Sequence, residues 1–168
     1  MIQIKDIHKE FDNTPILKGI TTEFKRGKTN LVIGQSGSGK TVLLKILLGL
    51  FTPNKGEIYF DGIPFSSMTD DEHRTLRREI GMVFQGSALF DSMSVIENVL
   101  FPMRMLTKLS EAEMIEQAET VIERVNLIDA KNKLPNEISG GMQKRVAIAR
   151  AVAMRPEYLF CDEPNSGL

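Results

Sequence analysis

Residues Gly34-Gln35-Ser36-Gly37-Ser38-Gly39-Lys40-Thr41 form an unbroken G-x-x-x-x-G-K-[ST] run, and no other stretch of the chain restricts its fold as tightly. Glycines at 34, 37 and 39 keep Cβ atoms out of the way, so backbone N–H groups can converge on phosphate oxygens. Lys40 adds a point charge and Thr41 a hydroxyl suited to Mg²⁺. A loop of this kind sits between a strand and a helix, and the flanks supply both. Thr29-Asn30-Leu31-Val32-Ile33 is a short apolar run that predicts a buried parallel strand. Lys40 to Leu50 predicts a mostly apolar helix whose N-terminus points at the phosphates.

Ser139-Gly140-Gly141 is a second phosphate-directed element, opening a helix expected over Met142 to Met154 and ended by Arg155-Pro156. Tyr158-Leu159-Phe160-Cys161 then reads as a buried strand that delivers Asp162 and Glu163 at its C-terminal end. Carboxylates at that position suit two tasks. Asp162 is placed to hold Mg²⁺ through its water shell, and Glu163 to orient or deprotonate an attacking water. Ile80-Gly81-Met82-Val83-Phe84 predicts a further buried strand, ending at Gln85.

The remaining segments build around these. Met1 to Gly27 reads as β structure broken by a turn at Asp12-Asn13-Thr14-Pro15, and Gly56 to Ile63 as a hairpin, together a small antiparallel layer. Met68 to Glu79 is polar and helical. Ser94-Val95-Ile96-Glu97 and Ser110-Glu111-Ala112-Glu113 each fit a capping box. Ile115, Ala118, Ile122 and Val125 recur at helical spacing, with Met114 and Val121 widening the stripe, which gives that helix one buried face.

Composition sets limits on partners and compartment. Lys plus Arg number 21 against 22 Asp plus Glu, and a net charge of −1 leaves no electrostatic footprint for nucleic acid. Cys161 stands alone, which rules out an internal disulfide and suits a reducing compartment. The first residues lack a secretory signal. The most apolar stretch, Val42 to Phe51, is interrupted by Lys45 and falls far short of the roughly 20 residues that span a bilayer. Any membrane role is expected through a partner.

The order of glycine loop, Gln85, Ser-Gly-Gly and Asp-Glu resembles the nucleotide-binding domain of ATP-binding cassette (ABC) transporters over essentially the whole chain. The resemblance implies an α/β fold: a P-loop NTPase (RecA-like) core with an N-terminal antiparallel β layer and an inserted α-helical subdomain. It implies a single domain over 1–168, with the β layer and nucleotide core in 1–88 and 156–168 and the helical part in 89–155. By the family pattern, ATP is bound by Gly34, Gln35, Ser36, Gly37, Ser38, Gly39, Lys40, Thr41 and Val42, with Phe11 stacking on adenine. Thr41, Gln85 and Asp162 serve Mg²⁺, and Glu163 and Gln85 serve catalysis. Ile138 to Met142 becomes the signature motif, so that Ser139, Gly140, Gly141 and Met142 of one copy close over ATP held by the other in a homodimer.

A narrower resemblance lies in Gly86 to Val95 and in Gly140-Gly141-Met142-Gln143-Lys144-Arg145, which look like the ATPase subunits of Mla-type phospholipid transporters. That group works with a membrane permease and mammalian-cell-entry (MCE) proteins at the cytoplasmic face of the inner membrane. By resemblance, Leu89, Phe90, Val95, Ile96, Leu100, Phe101 and Met105 line a groove for a permease helix, although at least half are expected to be helical core. Departures from the general pattern are Met142, where glutamine is usual, and Asn165, where threonine is commoner. The chain stops at Asn165-Ser166-Gly167-Leu168, short of the aspartate and switch histidine of the pattern, and neither His8 nor His73 is placed to substitute. The resemblance therefore implies a domain incomplete at its C-terminus, with weak or absent ATP turnover from these 168 residues alone. Other readings are an ABC transporter ATPase for another substrate, or a soluble ABC ATPase of DNA repair or ribosomes. The short segment from Gln85 to Ser139 argues against the soluble class. The lack of an Asn-Lys-x-Asp guanine reader argues against a kinase or GTPase. A binding-only cassette is disfavoured by intact Lys40, Gln85, Asp162 and Glu163.

Overall fold

Asp12 and Asn13 both take positive φ, 48° and 60°, which matches the twist needed to fold one strand directly back on its neighbour. Accordingly β1 (Ile2–Phe11) pairs antiparallel with β2 (Thr14–Phe24), from Ile2↔Phe24 to Phe11↔Thr14. The computed structural model describes residues 1–163 and separates the chain into two units, Met1–His73 and Arg74–Leu168.

In the first unit, β3 (Lys55–Phe60) pairs antiparallel with the other edge of β1, and β4 (Ile63–Pro64) follows it, giving the order β2-β1-β3-β4. Along β1 the buried residues are Ile2, Ile4 and Ile7. Strict alternation would bury residue 6, but the register shifts between Ile4 and Ile7, with Asp6 at φ 52°. The bulge inserts one residue and returns Ile7 to the core face. Gly56 lies against this bulge, where a Cβ would sit 2.2 Å from the Asp6 carbonyl oxygen, so only glycine fits. Helix α1 (Lys40–Leu47) buries Leu43, Ile46 and Leu47.

The strand expected at Thr29 to Ile33 is not formed. The run belongs to neither sheet, and Leu31 and Ile33 are 78% and 85% exposed. Parallel strands are held by ladder hydrogen bonds and covered faces, and among the described residues this run has no ladder partner.

The second unit begins within α2 (Asp70–Glu79), a polar helix that buries only Leu76. β5 (Ile80–Val83) and β6 (Tyr158–Cys161) pair in parallel, Ile80↔Tyr158 through Val83↔Cys161. β6 departs from the expected buried strand: alternate residues are exposed, Leu159 to 49%. β5 covers one edge of β6, and no other strand pairs with it among the described residues.

Helices α3 (Val95–Leu106), α4 (Glu111–Arg124) and α5 (Gly140–Val152) enclose an apolar core that includes Val99, Met103, Ala118, Ile122, Val146 and Ala149. Each such aliphatic side chain larger than alanine contributes about 1.5–3 kcal/mol on burial. Both expected capping boxes are present: Ser94 with Glu97 and Ser110 with Glu113. Hydrogen bonds from the backbone and hydroxyl of Ser94 hold the Glu97 carboxyl below its usual range, and those from Ser110 do the same for Glu113. Arg145 closes the far end of α4, its Nη1 donating to the Val125 carbonyl at 2.8 Å.

Where α5 crosses β5 the backbones nearly touch. A Cβ on Gly81 would lie 2.2 Å from the Ala151 carbonyl oxygen and 2.8 Å from Pro156. Backbone cannot yield as a side-chain tip can, so Gly81→Ala is expected to lower stability by about 1–3 kcal/mol. Denaturant unfolding of the two proteins reads the difference directly; an unchanged midpoint would contradict the close crossing.

Candidate functional site

The candidate residues fall into two sets, one in each unit. In the first unit, residues 34–38 of the glycine loop are exposed and α1 starts at Lys40, with the buried Gly39 as N-cap at φ 93°. A Cβ at Gly39 would meet Leu17 Cδ2 at 2.8 Å and Ile16 Cγ2 at 3.1 Å, so the start of α1 is pressed against β2. Gly37, at φ 78°, provides the other left-handed step. Lys40 Nζ donates to the carbonyls of Gly34 at 2.9 Å and Gln35 at 3.1 Å, holding its ammonium inside the loop's own curve. Thr41 follows in the first turn of α1. The loop thus gathers a charge, a helix N-terminus and an open backbone at one exposed place, the requirements for gripping a polyphosphate.

Phe11 stands at the end of β1, 39% exposed, with its ring edge-on to Phe51 at 5.5 Å and Lys9 Nζ 5.0 Å from its centroid. A half-exposed ring backed by a second aromatic is suited to stacking a base.

In the second unit, the parallel register decides which side chains meet. Val83 pairs with Cys161, and the ladder extends one step further, Asp162 N–H donating to the Val83 carbonyl at 2.9 Å. Gln85 and Glu163 each lie two residues beyond that last pair. Their side chains touch: Gln85 Nε2 donates to Glu163 Oε2 at 3.1 Å. Glu163 takes φ 44°, a left-handed turn at the strand's C-terminal end. Carboxylate and carboxamide oxygens are hard donors suited to Mg²⁺, which keeps several waters and needs few protein ligands. Among the described residues no group of three or more His, Cys, Asp or Glu could hold a metal by itself. The carboxylates of Asp162 and Glu163 and the carboxamide of Gln85 are of the donor type that fits Mg²⁺.

Ser139 is the N-cap of α5, its hydroxyl accepting from Met142 N–H at 3.3 Å. Gly140 and Gly141 are exposed, and a Cβ built on either would meet no atom within 4 Å. Their amides open outward at a helix N-terminus, the favourable end for an anion. The sequence expectation started this helix at Met142; the serine cap starts it at Gly140.

The groove residues divide as chemistry requires. Val95 and Leu100 are core, and Leu89 and Ile96 pack partly buried against it. Met105 is 67% exposed. Phe90 and Phe101 meet with their rings tilted, centroids 4.6 Å apart, and line a groove of about 270 Å³ with Ile80, Met82, Leu106 and Met154.

Two residues that sequence reasoning passed over shape the segment after Gln85. Asn98 is fully buried: its Oδ1 accepts from Phe90 N–H at 2.8 Å and its Nδ2 donates to the carbonyls of Phe90, Met93 and Ser94. Arg150 donates from Nη1 to the Ala88 carbonyl and from Nη2 to the Ser87 carbonyl, both at 2.8 Å. Ser87 and Ala88 are consecutive left-handed residues, φ 61° and 46°, an arrangement that costs roughly 1–2 kcal/mol per residue unless held in place. A signal existed for both. Asn98 sits beside Val95, Val99 and Met103 on the apolar stripe of α3, and Arg150 sits among the alanines of α5; a polar group on a buried face marks a committed hydrogen-bond site.

Residues 17–166 match the family model described as ABC transporter. The protein trigalactosyldiacylglycerol 3, chloroplastic, of Arabidopsis thaliana is 42% identical over all of this chain and half of its own length. The probable ribonucleotide transport ATP-binding protein mkl of Mycobacterium leprae is 38% identical over 99% of this chain and 48% of its own. The chain thus spans about half the length of these curated relatives. Among solved structures, the dimeric structure of MJ0796, a bacterial ABC transporter cassette, superposes with a TM-score of 0.90 at 35% identity, covering 100% of this chain and 76% of that one. The same cassette is known as a dimer in a post-hydrolysis state bound to ADP and Pi, with a TM-score of 0.89 at 34% identity over the same shares.

Proposed function

The chain belongs to the ABC transporter family, and from that premise we propose that it is the ATP-binding and ATP-hydrolysing part of a transporter. The observation that carries the reading is the Gln85–Glu163 hydrogen bond at the matched ends of two parallel strands. A carboxylate fixed in orientation by a neutral amide can accept a proton from water, and the amide can hold that water in line.

In this reading Gly34 to Lys40 wrap the triphosphate, with Val42 in the first turn of α1 behind them, and Phe11 stacks on adenine. Lys40 turns from its own loop carbonyls to the β- and γ-phosphates. Thr41, Gln85 and Asp162 would hold Mg²⁺, which would supply positive charge to offset that of the phosphates. Glu163 is the catalytic base. Ser139, Gly140, Gly141 and Met142 of a second copy cover the γ-phosphate, a homodimer supported by the dimeric cassette of the same fold. Residues 89–155 form the helical subdomain, and the remainder forms the β layer and nucleotide core.

The reading extends to partners. In this reading contact with the bilayer runs through a permease, with this chain at the cytoplasmic face of the inner membrane; among the described residues no helix is long and apolar enough to cross a membrane. The Phe90 and Phe101 groove is where a permease helix would dock. The cargo is a phospholipid or other hydrophobic envelope component, delivered together with an MCE-type protein. Two features support that choice: the Gly86 to Val95 and Gly140 to Arg145 segments, and a relative named for a galactolipid. The relative named for ribonucleotide transport supports a polar cargo instead. Purifying the membrane complex and extracting it decides between them. Bound phospholipid, with ATP turnover raised by lipid, is expected; turnover raised by ribonucleotide with no lipid bound would overturn the lipid assignment.

A further inference from the structure

Arg150 is a cation held half-buried on α5 with its two terminal nitrogens on backbone carbonyls of the segment that follows Gln85. Burial alone pulls its pKa below the ordinary guanidinium value, and no carboxylate contributes to that shift. A desolvated charge with no anionic partner among the described residues is an expensive way to hold a turn that neutral donors could hold. Its place in the fold gives it a second use. Arg150 lies eleven residues along α5 from Ser139, about 16 Å at the helical rise, and the carbonyls it grips lie two and three positions beyond Gln85.

We propose that Arg150 is a positioning residue that ties the Ser139-Gly140-Gly141 end of α5 to Gln85, so that a shift of the helix is passed to the carboxamide facing Glu163. The inference rests on the functional reading above. A helix moves as a rigid rod, and the fork of the guanidinium meets two adjacent carbonyls at once, which fixes direction as well as distance. Asn98 anchors the other end of the same segment to α3 through Phe90, Met93 and Ser94. Displacement of α5 is thereby confined to the short stretch between Gln85 and Phe90 instead of dissipating along the segment.

The test is a double-mutant cycle on the assembled transporter, using Arg150→Lys, Gln85→Ala and the pair. Lysine keeps the charge but cannot grip two carbonyls with a planar fork. Expected is a loss in kcat of roughly tenfold or more for Arg150→Lys, the scale seen when an outer partner of a catalytic ligand is removed. Affinity for radiolabelled ATP and the melting temperature should stay close to the parent's. In the Gln85→Ala background the same change should cost less than about twofold, because the residue through which Arg150 acts is gone. Additive losses, a drop in ATP affinity, or a lysine variant that no longer folds would each overturn the inference. Absence of turnover in the parent complex would instead overturn the functional reading, and is seen before any variant is made.

Discussion

Glu163→Gln should bind ATP with close to the parent's affinity, lose turnover by about 10²–10⁴-fold, and accumulate as a closed dimer. The change removes a proton acceptor and keeps the shape. Gln85 Nε2 can still donate to the remaining amide oxygen, so the contact at 3.1 Å has a neutral successor and the ends of β5 and β6 need not move. What disappears is the basicity needed when water attacks. ATP hydrolysis and size-exclusion chromatography in the presence of ATP measure the two halves of this expectation. Turnover at the parent's rate would remove Glu163 from the catalytic role.

Lys40→Ala should weaken ATP binding by roughly 10–100-fold or more. A hydrogen bond to a charged group contributes about 1.5–3 kcal/mol, and each 1.4 kcal/mol is a factor of ten. The fold should tolerate the loss, since the Gly34 and Gln35 carbonyls that Lys40 meets are exposed and α1 is held by Leu43, Ile46 and Leu47. Equilibrium titration with a fluorescent ATP analogue gives the number. Unchanged affinity would contradict the cradle assignment even if turnover fell.

Local chemistry made much of this legible in the sequence. The turn at Asp12-Asn13 and the capping boxes at Ser94 and Ser110 are each decided within four residues, and all are present. The meeting of Gln85 and Glu163, which are 78 positions apart in the chain, was not readable as a contact. It follows from the β5 and β6 register, a property of pairing. The run Leu31-Val32-Ile33 shows the opposite limit: its composition favours a strand, but strand formation depends on partners that composition does not contain. Buried Asn98 and half-buried Arg150 were visible as polar letters on apolar faces, yet their partners are carbonyls, which no sequence motif records. Asn165, where threonine is commoner in the family pattern, lies outside the described residues.

A structure of the protein with Mg²⁺ and a nonhydrolysable ATP analogue tests the central claim most directly. Each triphosphate should lie between Lys40 of one copy and Ser139 of the other, with Glu163 facing the γ-phosphate. An analogue bound within a single copy, or away from the glycine loop, would contradict the account.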